Sequence, residues 1–159
     1  MMIADPTREV PPMQQRLKME KVAPEAYRKV LDLNTYAMAN VDPTLLELVK
    51  LRASMINGCA FCVDMHSTDA TNAGENPRRL FALSAWTESS FFTREERAAL
   101  ALTDAVTRIG EAGVPDAVWD EARAVFSEKE IADVVMAVIM MNAFNRIAVS
   151  TRQTPRLDA

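Results

Sequence analysis

The sequence predicts an all-α fold, and three features of its 159 residues predict it. All four glycines, Gly58, Gly74, Gly110 and Gly113, fall where a helical run ends, the place where a residue without Cβ most easily closes a helix. Asp42-Pro43 and Asn76-Pro77 each set a capping side chain before a proline at the first helical position, where the missing N–H is not needed. Thr93 with Glu96 and Ser127 with Glu130 have capping-box spacing, and no stretch alternates apolar and polar residues for long enough to make a strand.

Taken in order, residues 1–20, with Pro6, Pro11 and Pro12, read as an extended arm, and residues 21–159 as one helical domain of about seven helices. A helix is predicted over 24–39, ahead of the Asp42-Pro43 cap. The next, 43–57, runs from that cap to Asn57-Gly58, and 59–73 restarts after the break and stops at Gly74. Asn76-Pro77 opens 77–86. The Thr93 capping box opens 93–110, which Gly110 closes, 115–126 follows Gly113, and the Ser127 capping box opens 127–149. The chain has no internal repeat and no low-complexity segment.

At 49% hydrophobic and 25% charged, the chain buries a proper core within a single domain. Its net charge is −4 and its Lys and Arg are scattered singly or in pairs, so neither nucleic acid nor a membrane surface is an expected partner. Met1 to Met19 carries Asp5, Arg8, Glu9, Arg16 and Lys18 without an apolar run of signal length. No later stretch approaches about 20 uncharged residues. The expected location is therefore cytoplasmic, where thiols stay reduced and a close cysteine pair is more often catalytic or metal-binding than a structural staple.

All of the thiol and imidazole chemistry lies in eight consecutive residues, because Cys59 and Cys62 are the only cysteines and His66 is the only histidine. On a helix these three share one face. Thiolate is the nucleophilic form of cysteine and an imidazole in reach accepts the proton, so the grouping points to thiol redox chemistry. Cys59 falls in the first turn after the Asn57-Gly58 break, where free N–H groups and the helix dipole favour a thiolate. His66 is the next-turn neighbour of Cys62. Asp69 continues the same face, either orienting the ring or standing as a solvated helix charge.

In the preceding helix Glu47, Lys50, Ser54 and Asn57 occupy an arc of about 80° on an otherwise apolar helix. A tight turn at Asn57-Gly58 folds this stripe back toward the sulfurs. Spacing alone leaves a surface Glu47–Lys50 ion pair as an equal reading.

The run from Glu47 to His66, Glu-x11-Cys-x2-Cys-x3-His, resembles the core motif of the alkylhydroperoxidase D-like (AhpD-like) proteins of the carboxymuconolactone decarboxylase superfamily. The resemblance extends through Asp69-Ala70, Ala73-Gly74-Glu75, Ala85-Trp86, Phe92-Thr93, Arg97-Ala98-Ala99-Leu100 and Asn142-Ala143-Phe144-Asn145-Arg146, covering roughly residues 40–150. It implies an all-α bundle assembled into homotrimers or homohexamers. It implies that Cys62 is the peroxidatic cysteine, Cys59 the resolving and more exposed one, and His66 with Glu47 a proton relay that deprotonates Cys62. The implied activity is that of a thiol-dependent peroxidase on small hydroperoxides, with no bound cofactor and an external dithiol donor, lipoyl-bearing or thioredoxin-like.

Some relatives carry histidine between the cysteines where this chain has Phe61, and the decarboxylase branch lacks the cysteine pair, which disfavours lactone chemistry here. Other readings of the pair fit less well. Zinc would draw on Cys59, Cys62, His66 and Glu47, but structural zinc sites use Cys and His around a loop. Covalent haem needs histidine where Val63 stands, and a thioredoxin domain needs a βαβ unit. Two ordinary buried cysteines with a core histidine, or a thiol sensor or scaffold that forms the disulfide without turnover, remain the plain alternatives.

The last helix turns from an apolar face, Ile131, Val134, Val135 and Val138, to Asn142, Asn145 and Arg146, with Met136, Met140, Phe144 and Ile147 opposite. Polar groups on so apolar a helix need partners, so these three are expected to pin the active-site helices or a subunit contact. The apolar content also predicts a closed homo-oligomer.

Overall fold

The computed structural model describes residues 13–156, and the arm predicted for 1–20 lies mostly outside them. Residues 13–18 have no regular structure, and a four-residue helix, α1 (Met19–Val22), begins at the end of the stretch expected as an arm. Seven further helices follow: α2 (Pro24–Asn40), α3 (Pro43–Ile56), α4 (Ala60–Asn72), α5 (Pro77–Ala82), α6 (Arg94–Thr107), α7 (Asp116–Val125) and α8 (Glu128–Thr151). The 77–86 helix splits at its middle. A 3-10 helix covers Leu83–Glu88, with Ala85 bent out of helical geometry at φ −123°, ψ 37°. No strand occurs among the described residues.

The predicted caps close the predicted helices. Asp42 accepts from the Leu45 N–H at 3.0 Å and Asn76 from the Arg78 N–H at 2.9 Å, each ahead of a proline. Thr93 and Ser127 form reciprocal capping boxes with Glu96 and Glu130. Such caps satisfy backbone donors that the helix cannot reach, at about 1 kcal/mol each.

α3 is the central helix. It packs against α4, α6 and α8, and Leu48, Val49, Leu51 and Ala53 are essentially without solvent contact. Arg52 crosses from α3 to Asp104 of α6 with two guanidinium bonds, 2.6 and 2.8 Å, and gives a third to the Ser84 carbonyl, so its buried charge is fully matched. α8 is long and apolar enough to cross a membrane by length and composition, but half of that stretch is buried in the bundle, as in a core helix.

Gly58 sets the geometry of the site. Its φ of +64° is a left-handed conformation that few residues other than glycine adopt readily, and it lets the Cys59 N–H reach back to the Ser54 carbonyl at 3.0 Å. α3 therefore ends and α4 begins within three residues, Asn57, Gly58 and Cys59, so that the two helices lie against each other.

Candidate active site

Cys59 is the N-cap of α4 rather than a first-turn residue, and its Sγ accepts from the Cys62 N–H at 3.3 Å. The two cysteines are joined as a disulfide, with Cα atoms 5.3 Å apart, inside the range that a disulfide requires. The N-terminus of α4 lies at the pair, where the helix dipole favours negative charge on sulfur.

The order of exposure implied by resemblance does not hold in this chain. Cys59 is 1% exposed and Cys62 2%, and the cavity beside them, about 420 Å³, is lined by Cys62 but not by Cys59. Both cysteines belong to the same core cluster; Cys59 is held at the cap of α4, while Cys62, one turn on, also reaches the cavity.

Glu47, Lys50, Cys62 and His66 all line this cavity, so the turn at Gly58 does bring the α3 stripe to the sulfurs. Glu47 Oε1 accepts from the Lys50 ammonium at 3.1 Å, and Glu47 Oε2 stands 3.5 Å from His66 Nδ1, at the long edge of a hydrogen bond. Burial pushes the Glu47 carboxyl up, but the adjoining His66 imidazole and the Lys50 ammonium outweigh it, and its net direction is below the ordinary carboxylate value. The Glu47–Lys50 pair is no surface ion pair: the lysine side chain is 7% exposed.

Among the described residues four buried side-chain polar atoms have no hydrogen-bond partner, and three belong to this pair of residues: Glu47 Oε2, His66 Nδ1 and His66 Nε2. The fourth, Arg79 Nε, has the Glu75 carboxylate 3.0 Å away. Buried polar atoms left open are rare because each costs about 1–3 kcal/mol, so their concentration beside Cys62 marks a place built to meet something other than the chain itself. Asp69 also lines the cavity, but it is exposed and makes no hydrogen bond to the ring. The Glu47–Lys50 pair was legible, but as a surface pair; its burial beside Cys62 was not. The signal was the i+3 spacing of Lys50 from Glu47 on a helix buried on its other sides.

The other half of the stripe serves a different purpose. The Asn145 amide donates to Ser54 Oγ at 3.0 Å, and the Asn57 amide donates to Asn145 Oδ1 at 2.9 Å and Asn142 Oδ1 at 3.0 Å. Asn142 in turn donates to Thr107 Oγ1 and accepts from Arg146. Asn142 and Asn145 thus fasten α8 to the end of α3, and Asn142 also ties it to α6, as their placement on an apolar helix predicts.

The arrangement defines a class: an all-α protein with a buried Cys-x-x-Cys disulfide beside a buried histidine that faces a clamped glutamate. Residues 24–105 match the carboxymuconolactone decarboxylase family. A protein from Bacillus subtilis (strain 168), the uncharacterised YdfG, is 37% identical over 139 residues, covering 87% of this chain and 95% of that one. A crystal structure of a protein of unknown function from Agrobacterium tumefaciens, ATU0492, provisionally assigned to antioxidant defence as an AhpD, superposes with a TM-score of 0.86 at 41% identity, over 90% of this chain and 99% of that one. The debrominase Bmp8 shares the fold at a TM-score of 0.75 and 21% identity, over 84% of this chain and 73% of that one. The chain belongs to the carboxymuconolactone decarboxylase family, and its fold is AhpD-like.

Proposed function

We propose that the protein is a thiol-dependent peroxidase that reduces small hydroperoxides through Cys59 and Cys62. The observation that carries this reading is the position of Cys62 in a mostly apolar cavity with His66, whose Nδ1 faces Glu47 at 3.5 Å and whose Nε2 has no hydrogen-bond partner among the described residues. Glu47 stays ionised because Lys50 and His66 both favour its anion, so it holds the proton-bearing Nδ1 side of the ring and leaves Nε2 as the acceptor. His66 takes the Cys62 proton, and Glu47 balances the resulting imidazolium.

The Cys62 thiolate attacks one peroxide oxygen and the O–O bond breaks. Cys62 becomes a sulfenic acid, and the departing alkoxide takes the proton from His66 as an alcohol. The Cys59 thiol then displaces hydroxide from the sulfenic sulfur, releasing water and forming the disulfide. Two electrons from an external dithiol restore both thiols, and the donor leaves as its own disulfide. The chemistry needs no bound cofactor. A lipoyl-bearing or thioredoxin-like donor and a trimeric or hexameric assembly belong to the same proposal; exposed Phe81, Ile109 and Met38 offer apolar surface for the assembly, which sedimentation measures.

Peroxide consumption with excess dithiol tests the reading. Many turnovers per chain in wild type and none in Cys62→Ser support it. A single stoichiometric oxidation with no further turnover for any donor makes the protein a thiol sensor.

A further inference from the structure

Beside the cavity that holds Cys62 lies a second cleft, about 590 Å³, between the chain at Met13–Lys18 and the end of α8. Phe61 and Gln153 line both, so the two spaces meet at these side chains. The cleft carries three cationic residues, Lys18, Arg152 and Arg156, and among the described residues no carboxylate lines it. None of the three is in an ion pair with another described residue, in a chain whose net charge is −4. Positive charge is thus gathered against the average of the molecule at one edge of the site.

The cleft is held in shape by backbone. The Arg16 N–H donates to the Thr151 carbonyl at 2.8 Å, its guanidinium to the Ser150 carbonyl at 3.1 Å, and the Gln153 N–H to the Ala148 carbonyl at 2.9 Å. These bonds, with Arg152 N–H to Val149, occupy the carbonyls of the last turn of α8, whose negative dipole end would otherwise repel an anion. Arg152 itself is the one non-glycine described residue at positive φ, +58°, a conformation that turns the chain out of α8 and across the cleft.

The neighbouring cavity has a different character. Tyr27, Leu31, Met65, Phe144 and Ile147 give it apolar walls, and Asn34, Glu47, Lys50, His66, Asp69 and Gln153 are its polar lining. An apolar passage with a reacting thiol at one part and, among the described residues, a cluster of cations without carboxylates beyond its rim matches a molecule with an alkyl body and one anionic end. We propose that the Lys18–Arg152–Arg156 cleft binds the carboxylate of an amphipathic hydroperoxide, whose alkyl chain lies past Phe61 in the apolar cavity with its peroxide at Cys62. This assignment of substrate class rests on the peroxidase reading for its chemistry, but not for its binding. A small carboxylate is favoured over the acidic face of a donor protein because the cations line a concave space that is continuous with the cavity.

Two measurements on the full chain test it. The first follows turnover of a long-chain hydroperoxy fatty acid against its methyl ester, with the same dithiol, in wild type, Arg152→Asn, Arg156→Gln and Lys18→Gln. Asn tolerates the left-handed backbone at 152, and the other two changes lie on exposed chain. Wild type should prefer the free acid in kcat/KM by about tenfold, a ratio that high salt and each variant reduce toward one. A ratio of one in wild type, or a ratio that the variants leave in place, overturns the assignment. So does an effect of the variants confined to the KM of a protein donor, which would make the cleft a docking face.

The second measurement is calorimetric binding of an unoxidised long-chain fatty acid, and of the corresponding alcohol, to the disulfide form. Binding of the acid that weakens several-fold in the variants supports the subsite even if no peroxide is turned over. Failure of the acid to bind better than the alcohol, with peroxide turnover intact, removes the subsite and leaves the peroxidase reading standing.

Discussion

The polar stripe of α3 holds two regions that look alike in sequence and differ in how their hydrogen bonds are met. At its C-terminal end Ser54 and Asn57 are bonded into Asn142, Asn145 and Thr107 from α8 and α6. At its N-terminal end Glu47 and the facing His66 keep three buried polar atoms without partners, while Lys50 holds the remaining Glu47 oxygen. The first region is a fastener, since each satisfied bond contributes and each orphan would cost about 1–3 kcal/mol. The second turns its polar atoms toward the cavity, where a molecule from outside can meet them.

The largest effect expected from breaking this division falls on the fastener. Asn145→Ala strands one Asn57 donor, leaves Ser54 Oγ only its bond to the Lys50 carbonyl and opens a cavity at the centre of the bundle, and should lower unfolding free energy by about 3 kcal/mol in a denaturant titration. Oxidation of Cys62 in the fraction that remains folded should keep its wild-type rate. On the open side, Glu47→Gln should slow peroxide oxidation of Cys62 about 10²-fold at pH 7, because the imidazolium loses its counter-charge, and should also lower stability, because the buried Lys50 ammonium loses its carboxylate partner.

Lys50→Met sharpens the comparison through pH. In wild type the Glu47 anion is favoured by the fold, so its contribution to stability is present above the ordinary carboxylate pKa and fades as pH falls through the lowered folded value. Without the lysine charge only His66 opposes burial, so the carboxyl moves up and the stability gained from its anion shrinks. The acid limb of the Cys62 oxidation rate should move upward. Asp69→Asn should change that rate less than about twofold, since Asp69 is exposed and unbonded to His66, as for other surface substitutions.

Much of this was legible from the chain. Prolines after Asp42 and Asn76, the two capping boxes and Gly58 placed the helix starts and the turn that matters, because caps are local physics. The split of 77–86 into α5 and a 3-10 helix was not legible, since the kink at Ala85 coincides with the crossing bonds that Arg52 and Arg97 make to the Ser84 and Trp86 carbonyls, contacts from distant helices. At the site, spacing put Cys59, Cys62 and His66 on one face, and the family resemblance added Glu47. Spacing gave no means of telling which half of the stripe would be satisfied, because that depends on where Asn142 and Asn145 of α8 come to lie.

The account rests most directly on His66 serving Cys62 while Asn145 serves the fold, and one measurement separates these roles. Reduced protein carrying Cys59→Ser is alkylated and, separately, oxidised by peroxide across pH 5–9, in otherwise wild-type, His66→Ala and Asn145→Ala forms, with folding followed by circular dichroism. The prediction is a Cys62 profile shifted to higher pH and a rate about 10²-fold lower at pH 7 in His66→Ala, with the profile unmoved in folded Asn145→Ala. Identical profiles in wild type and His66→Ala would contradict it.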